Sequence, residues 1–169
     1  MGLVSSKREV LTYEMFGTAV RELAQQVVDS GYEPDLVLSI ARGGLGLGMG
    51  LGYALDVKNL SAVNVEFYTG VDQRLDVPIM LPPTPAAVDL AGLRILIADD
   101  IADTGETLRH VQEFCAGHVA EARTAVVFEK PRSVVRPDYA WRSTEAWVDF
   151  PWSSENPLVQ HASVRAGTS

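Results

Sequence analysis

The sequence predicts a single α/β domain with a mostly parallel central sheet flanked by helices. Short hydrophobic segments that resemble buried strands, such as residues 35–40 (DLVLSI) and 94–98 (RILIA), alternate with segments whose apolar residues recur at helical spacing. Glycine-rich or acidic turns follow these strands directly. The 169 residues, 47% of them hydrophobic, suffice for one sizeable core but not for two ordinary domains.

The expected elements follow from hydrophobic spacing and from the residues that bound each segment. A first helix is expected from Thr12, which suits its cap, to Gly31, which suits its end. After the strand at residues 35–40, a glycine-rich turn leads into a second helix that ends near Asp56. The other expected elements are strands at residues 60–67, 94–98 and 122–128, and a helix from Thr104 onward.

Two segments lack a regular pattern. Residues 68–92 contain Gly70 and four prolines, so we expect a long loop there, and loops of this length in compact domains are usually functional. Residues 153–169 are polar and weakly patterned, which favours a surface tail.

The charge and the cysteine content exclude some classes of function. A formal charge of −8 argues against a protein that grips the nucleic-acid backbone. Cys115 is the only cysteine, which favours a reducing compartment. Residues 1–10 lack the apolar core of a signal peptide, and no segment suits a membrane span. We therefore expect a soluble, cytoplasmic protein with neither a nucleic-acid nor a membrane partner.

The strongest chemical motif is ILIADDIADTGETL, in which a hydrophobic strand leads to two carboxylates and then to a hydroxyl-bearing loop at a helix start. Asp99 and Asp100 suit vicinal ribose hydroxyls, and the backbone amides of residues 103–107 suit a phosphate dianion. The alternative is that the acids only solvate a strand end and that Asp103 or Thr104 only caps the helix. The coincidence of all these features at one junction favours a ligand site.

A second motif, SIARGG at residues 39–44, places Arg42 and two glycines between a strand and a helix. Free amides at a helix start beside one guanidinium suit pyrophosphate, although a solvated arginine in a plain turn explains the residues equally well. The alternate glycines of residues 44–52 match neither a dinucleotide fingerprint nor a Walker loop. They are expected to allow close packing on the sheet or on another subunit.

A third constellation combines Phe128-Glu129-Lys130-Pro131 with the aromatic segment WVDFPW at residues 147–152. A lysine at a strand end can donate to a purine oxygen, an indole can stack on the ring and a backbone carbonyl can read its edge. Taken alone, these residues are better explained as an aromatic core beside a surface lysine.

The acid-pair motif resembles the phosphoribosyl pyrophosphate (PRPP) signature of the type I phosphoribosyltransferase family, and SIARGG is similar to the family's pyrophosphate loop. The resemblance implies that the acids hold the ribose hydroxyls and the next loop the 5-phosphate. It also implies a cis peptide bond between Ala41 and Arg42. Ala102 departs from the family, which usually has a larger aliphatic residue. The residues concerned are Ala41, Arg42, Gly43, Asp99, Asp100, Ala102, Asp103, Thr104, Gly105, Glu106 and Thr107.

The third constellation resembles the hood of the bacterial xanthine-guanine phosphoribosyltransferase subgroup. That resemblance implies that Lys130 meets the purine 6-oxo group, Trp147 stacks on the base and the Val148 carbonyl faces its exocyclic position. Asp103 would accept the proton of purine N7, with a purely structural acid as the alternative. The expected domain then spans residues 1–152, with the hood at about 129–152.

The resemblance implies transfer of ribose 5-phosphate from PRPP to a 6-oxopurine, with catalysis by Asp103 and Arg42. Mg²⁺ would be held mostly by PRPP and water, beside Asp99 and Asp100. It also implies a homodimer or homotetramer and a flap at residues 68–74. Two alternatives remain, a different acceptor for the same donor and a regulatory protein that binds PRPP or a nucleotide without turnover.

Overall fold

The computed structural model describes residues 7–70, 73–81 and 85–159. Its helices are α1 (Tyr13–Asp29), α2 (Gly44–Ala54), α3 (Ala87–Leu90) and α4 (Glu106–Cys115). Its strands are β1 (Arg8–Val10), β2 (Leu36–Ala41), β3 (Leu60–Gly70), β4 (Gln73–Leu81), β5 (Arg94–Ala102), β6 (Glu121–Glu129), β7 (Tyr139–Ser143) and β8 (Trp147–Asp149).

The central sheet has six strands in the order β4-β3-β2-β5-β6-β7. Five of them run parallel, and β4 pairs antiparallel with β3 at one edge. A separate two-stranded parallel sheet joins β1 to β8. The predicted mostly parallel α/β domain is therefore confirmed. The carboxyl ends of β2, β5 and β6 lie side by side, which is where ligands gather in such sheets.

Both faces of the sheet are covered, as continuous hydrophobic strands require. Along β5, Leu96 belongs to the core cluster under α1 and α2, whereas its neighbours Ile95 and Ile97 belong to the cluster under α3 and α4. All three side chains are fully buried. Because successive strand residues point to opposite faces, this one run of apolar residues contributes to both layers.

The first helix has the predicted ends. The Thr12 hydroxyl accepts a hydrogen bond from the Met15 N–H at 3.1 Å, which satisfies one free donor of the first turn. Gly31 follows the last turn with a φ of +72°, a conformation that glycine adopts without strain.

The glycines of α2 allow the close packing that the sequence predicts. A Cβ at Gly48 would overlap Ser39 on the sheet, and one at Gly50 would lie 2.7 Å from a Val20 methyl carbon in α1. These glycines therefore let α2 pack closely against the sheet and against a neighbouring helix. The packing lies within this chain rather than requiring another subunit.

The loop expected at residues 68–92 is wrong in large part. The backbone of residues 73–81 forms β4, and α3 begins at Ala87. Pro78 has no backbone N–H to donate to a neighbouring strand. It is tolerated in β4 because this strand lies at the edge of the sheet. Within the expected flap, residues 71–72 lie outside the described part of the chain, and flap closure stays a prediction.

Three short strands were not predicted: β1, β7 and β8. Each has three to five residues, too few for a clear alternating pattern. No helix in the described residues is long and apolar enough to cross a membrane.

Candidate active site

The candidate site lies where β2, β5 and β6 end. Arg42 follows β2, the acid pair lies near the end of β5, and Lys130 follows β6. Strands β2 and β6 both pair in parallel with β5, so these three chain segments, distant in sequence, meet at one edge. The structure thus brings all three predicted motifs together.

The acid pair is enclosed more deeply than a solvated strand end would be. Strand β5 does not end at Ala98 but continues through both acids to Ala102, and Asp99 is 9% exposed. The Asp100 N–H donates to Asp99 Oδ1 at 2.8 Å. Burial, followed by the neighbouring Asp100 carboxylate, raises the pKa of Asp99 well above its usual range. Burial also raises the pKa of Asp100.

The turn after β2 is packed against the acid pair. The peptide bond between Ala41 and Arg42 is cis, as expected. A Cβ at Gly43 would overlap the Asp100 carboxyl group, and one at Gly44 would overlap the Ala98 carbonyl oxygen. The absence of side chains at these two glycines lets the start of α2 approach the backbone of β5 directly.

The loop after β5 has the form of an anion site at a helix start. Gly105 adopts a φ of +81°, and α4 begins at Glu106. The N-cap residue is Gly105 rather than Asp103 or Thr104. The Thr104 hydroxyl, one residue earlier, accepts from the Glu106 N–H at 3.3 Å. Glu106 and Thr107 are half-buried in the first turn, and Ala102 is buried beneath the loop.

The turn after β6 is fastened to this loop. The Lys130 N–H donates to the Ala102 carbonyl at 2.9 Å, and the Val134 N–H donates to the Thr104 carbonyl at 2.8 Å. A Cβ at Gly105 would lie 2.9 Å from the Val135 nitrogen, so the two segments are in close contact. The predicted base site and the predicted phosphate loop therefore form one connected unit.

Arg132 is a site residue that the sequence analysis missed. Its guanidinium donates twice to Asp103 Oδ1, from Nε at 3.0 Å and from a terminal nitrogen. The only sequence signal was a cation in the Lys-Pro-Arg turn, and nothing local indicates that it pairs with an acid 29 residues away.

The hood contains an open cavity beside the buried lysine. Lys130 is 9% exposed, and its ammonium group donates to the Ala146 carbonyl. Trp147 is 64% exposed, so it is not part of an aromatic core. The cavity has a volume of about 390 Å³ and is lined by Lys130, Pro131, Arg132, Glu145 and Trp147. A cavity of this volume is within the range that holds small-molecule ligands.

Strand β1 holds the hood segment in place. The Trp147 N–H donates to the Lys7 carbonyl, and the Leu11 N–H donates to the Asp149 carbonyl, each at 3.0 Å. Backbone groups of successive strand residues point to opposite sides, so the N–H and C=O of Val148 point away from β1. Its carbonyl is therefore free of this ladder, as a group that reads a base edge needs to be.

The C-terminal segment also reaches the site. Residues 153–169 were expected to form a surface tail, and residues 153–159 are exposed. Ser153 and residues 155–158 also line an open cavity of about 930 Å³ together with Arg42, Asp100 and Trp152. The Trp152 ring stacks on Phe150 at 5.1 Å, which anchors the segment. Residues 160–169 lie outside the described part of the chain.

A parallel sheet with paired carboxylates, a cation and a helix-start loop at adjacent strand ends is typical of α/β proteins that bind phosphorylated ligands. Residues 7–157 match the family model of the phosphoribosyl transferase domain. The chain belongs to this family.

Individual relatives agree with that assignment. The chain is 28% identical to the xanthine-guanine phosphoribosyltransferase of Idiomarina loihiensis, with 90% of this chain and 91% of the relative covered. It is 32% identical to the xanthine-guanine phosphoribosyltransferase of Cereibacter sphaeroides, covering 73% and 72%. Among solved structures, a purine phosphoribosyltransferase from Pyrococcus horikoshii superposes with a TM-score of 0.77 at 32% identity, covering 91% and 99%.

Proposed function

We propose that this protein transfers ribose 5-phosphate from PRPP to guanine, xanthine or hypoxanthine, giving the nucleoside 5'-monophosphate and pyrophosphate in purine salvage. The observation that carries the proposal is the connection between the base-sized cavity at Lys130 and Trp147 and the loop at Asp103, joined by two backbone hydrogen bonds. Relatives similar over most of the chain are named xanthine-guanine phosphoribosyltransferases.

The donor half of the site is proposed to bind PRPP in three parts. Asp99 and Asp100 accept hydrogen bonds from the ribose 2' and 3' hydroxyls, and the turn at Ala41, Arg42 and Gly43 receives the pyrophosphate. The loop from Asp103 to Thr107 receives the 5-phosphate. The support is that all three parts lie at adjoining strand ends, with the acid pair directly against Gly43.

The acceptor half is proposed to read a 6-oxopurine. Lys130 donates to the 6-oxo group, Trp147 stacks on the ring, and the Val148 carbonyl accepts from the exocyclic position. Adenine carries a donor at position 6, so it would face the ammonium of Lys130 with no acceptor. The support is the burial of Lys130, the exposure of Trp147 and the free direction of the Val148 carbonyl.

The transfer itself is a displacement at ribose C1. The bond from purine N9 to C1 forms as the bond from C1 to the pyrophosphate oxygen breaks, and the proton on N7 passes to Asp103. Arg42 stabilises the negative charge that develops on the leaving group, and Asp99 and Asp100 orient the ribose. No protein nucleophile takes part.

Magnesium fits the donor set of this site. Asp99 and Asp100 offer hard carboxylate oxygens of the kind that Mg²⁺ prefers. Burial raises the pKa of both acids, so a cation beside them would favour their charged forms. When bound with PRPP, Mg²⁺ would neutralise charge on the pyrophosphate. We propose that PRPP and water supply most of its ligands.

The deciding experiment measures pyrophosphate release from PRPP and Mg²⁺ with guanine, hypoxanthine, xanthine, adenine and orotate in parallel. Release with a 6-oxopurine, reduced roughly 10²- to 10⁴-fold in Asp103→Asn, is the expected result. Release only with adenine or orotate would assign a different acceptor. Binding of PRPP with no release for any base would assign the regulatory alternative.

We also propose a cytoplasmic location and a homo-oligomeric assembly. A cytoplasmic location agrees with Cys115 being a buried free thiol, and fractionation tests it. A homodimer or homotetramer is proposed from the family resemblance. Analytical ultracentrifugation, with and without PRPP, decides between these states and a monomer.

A further inference from the structure

The ion pair between Arg132 and Asp103 uses only one of the two carboxylate oxygens. Both guanidinium donors bind Oδ1. Within the part of the chain that the structure describes, Oδ2 accepts no hydrogen bond. One oxygen of Asp103 is thus held, and the other remains available.

The backbone on both sides of Arg132 fixes its place. Lys130 is bound to Ala102, two residues before Arg132, and Val134 is bound to Thr104, two residues after it. Asp103 lies between Ala102 and Thr104. The two hydrogen bonds therefore lie on either side of the ion pair in both segments, so Arg132 meets Asp103 without a large adjustment of either segment.

The ion pair has little structural value by itself. The Arg132 side chain is 66% exposed and that of Asp103 is 47% exposed. Exposed pairs of this kind contribute little to folding stability. A geometry fixed by two backbone bonds but worth so little to stability points to a role in the site.

We infer that Arg132 is a positioning residue, which holds Asp103 by Oδ1 and leaves Oδ2 available to a base bound in the cavity that Arg132 lines. The inference rests on the proposed function, in which Asp103 takes the N7 proton as the N9 to C1 bond forms and the pyrophosphate leaves. Arg132 remains charged and transfers no proton.

A direct role for Arg132 in binding PRPP phosphate makes a different prediction. In that case Arg132 would bind the phosphate when PRPP is present, and its contact with Asp103 would have no part in the reaction. Removal of the Arg132 side chain would then weaken PRPP binding whether or not residue 103 is a carboxylate. Positioning instead makes the effect of Arg132 depend on Asp103.

The test is a double-mutant cycle with wild type, Arg132→Ala, Asp103→Asn and the double variant, with kcat and KM determined for PRPP and guanine. Arg132→Ala should lower kcat roughly tenfold to a hundredfold, because a small misplacement of a reacting group has effects of this size. The KM for PRPP should not change, and Arg132→Lys should restore part of kcat. In the Asp103→Asn background, Arg132→Ala should change kcat by less than about twofold.

Arg136→Ala is the matched control. Arg136 lies in the same turn, pairs with Glu129 at 3.4 Å and is 84% exposed, so its loss should leave kcat and the KM values unchanged. Two results with an active wild type overturn the inference alone. In the first, the effects of Arg132→Ala and Asp103→Asn on kcat multiply independently. In the second, Arg132→Ala raises the KM for PRPP in both backgrounds. A wild type that releases no pyrophosphate with any 6-oxopurine overturns the proposed function and the inference together.

Discussion

The carboxyl group of Asp100 lies directly against the Cα of Gly43, leaving no space for a side chain at that position. The φ of Gly43 is −56° and its ψ is −37°, values that any residue adopts readily. Space, rather than backbone conformation, therefore requires glycine. This contact joins the turn after β2 to the acid pair on β5.

Gly43→Ala should weaken PRPP binding strongly. The new methyl group would overlap Asp100, which must then move out of its place beside Asp99. We expect the KM for PRPP to rise about tenfold or more, since displaced groups near the reacting centre have effects of that order. Isothermal calorimetry with PRPP and Mg²⁺ measures the change in affinity directly.

Gly17→Ala is the control for that substitution. Gly17 is exposed within α1, and a Cβ there would meet nothing within 4 Å. It should leave PRPP binding intact and stabilise the protein by about 0.5–1 kcal/mol, because alanine favours a helix interior. Equal PRPP affinity for wild type and Gly43→Ala would show that the acid pair does not contact the donor.

Lys130→Met should damage base recognition and spare donor binding. Methionine keeps the apolar stem in its buried site but removes the charged donor. A hydrogen bond to a charged group contributes about 1.5–3 kcal/mol, so the KM for guanine should rise roughly tenfold to a hundredfold. Steady-state kinetics with each substrate varied in turn provide the measurement.

Lys58→Met is a suitable comparison, because it removes the same charge from an exposed position after α2. It should leave both KM values unchanged. A Lys130→Met enzyme with an unaltered KM for guanine and a raised KM for PRPP would instead assign this lysine to the donor.

Asp99→Asn should stabilise the free protein at neutral pH. Burial raises the pKa of Asp99 in the folded state, whereas the unfolded value is about 3.9. Between these two values the folded state binds a proton that the unfolded state lacks, so stability falls as pH rises through this interval. Above the folded pKa, the folded state bears the full free-energy cost of burying the charged Asp99 carboxylate. Asparagine carries no charge and removes this cost.

We expect Asp99→Asn to raise the free energy of unfolding by roughly 0.5–2 kcal/mol at about pH 8. This increase should become smaller as the pH is lowered toward about 4. Asparagine retains an oxygen for the Asp100 N–H, so the hydrogen bond at 2.8 Å need not be lost. Urea unfolding in the presence of a chelator measures the free energy. A variant less stable than wild type at every pH would contradict the assigned cause, and PRPP binding should weaken regardless.

Arg8→Ala should loosen the hood and affect the base more than the donor. Arg8 binds both carboxylate oxygens of Asp149, at 2.8 and 2.9 Å, beside the strand that carries Trp147 and Val148. Because the Arg8 side chain is 63% exposed, the loss in folding free energy should stay within about 1 kcal/mol. The KM for guanine should rise a few fold, while the KM for PRPP remains the same.

Asp149→Asn tests the same contact from the other side. If loss of the ion pair raises the KM for guanine, Arg8→Ala and Asp149→Asn together should raise it no more than either substitution alone. Quenching of the tryptophan fluorescence by acrylamide gives an independent reading of hood order, because Trp147 is the most exposed of the three tryptophans. Additive effects on the KM for guanine would show that Arg8 acts on the base through another route.

The sequence by itself determined the parallel α/β class, the ends of α1 and the three chemical motifs. Each of these is recorded in contiguous residues, such as the strand that delivers Asp99 and Asp100 into the loop at Gly105. Local hydrophobic spacing and turn chemistry are sufficient for such features. The short strands and the edge strand β4 escaped prediction, because their pairing partners rather than their own residues stabilise them.

Only the tertiary structure decided how the motifs meet. Asp103 and Arg132 are 29 residues apart, and Arg8 and Asp149 are 141 residues apart. No local pattern specifies such contacts, because they depend on which strands become neighbours and on the register between them. The contact between Gly43 and Asp100 likewise depends on the pairing of β2 with β5. The cavity that the C-terminal segment lines with Arg42 and Asp100 depends on the same pairing.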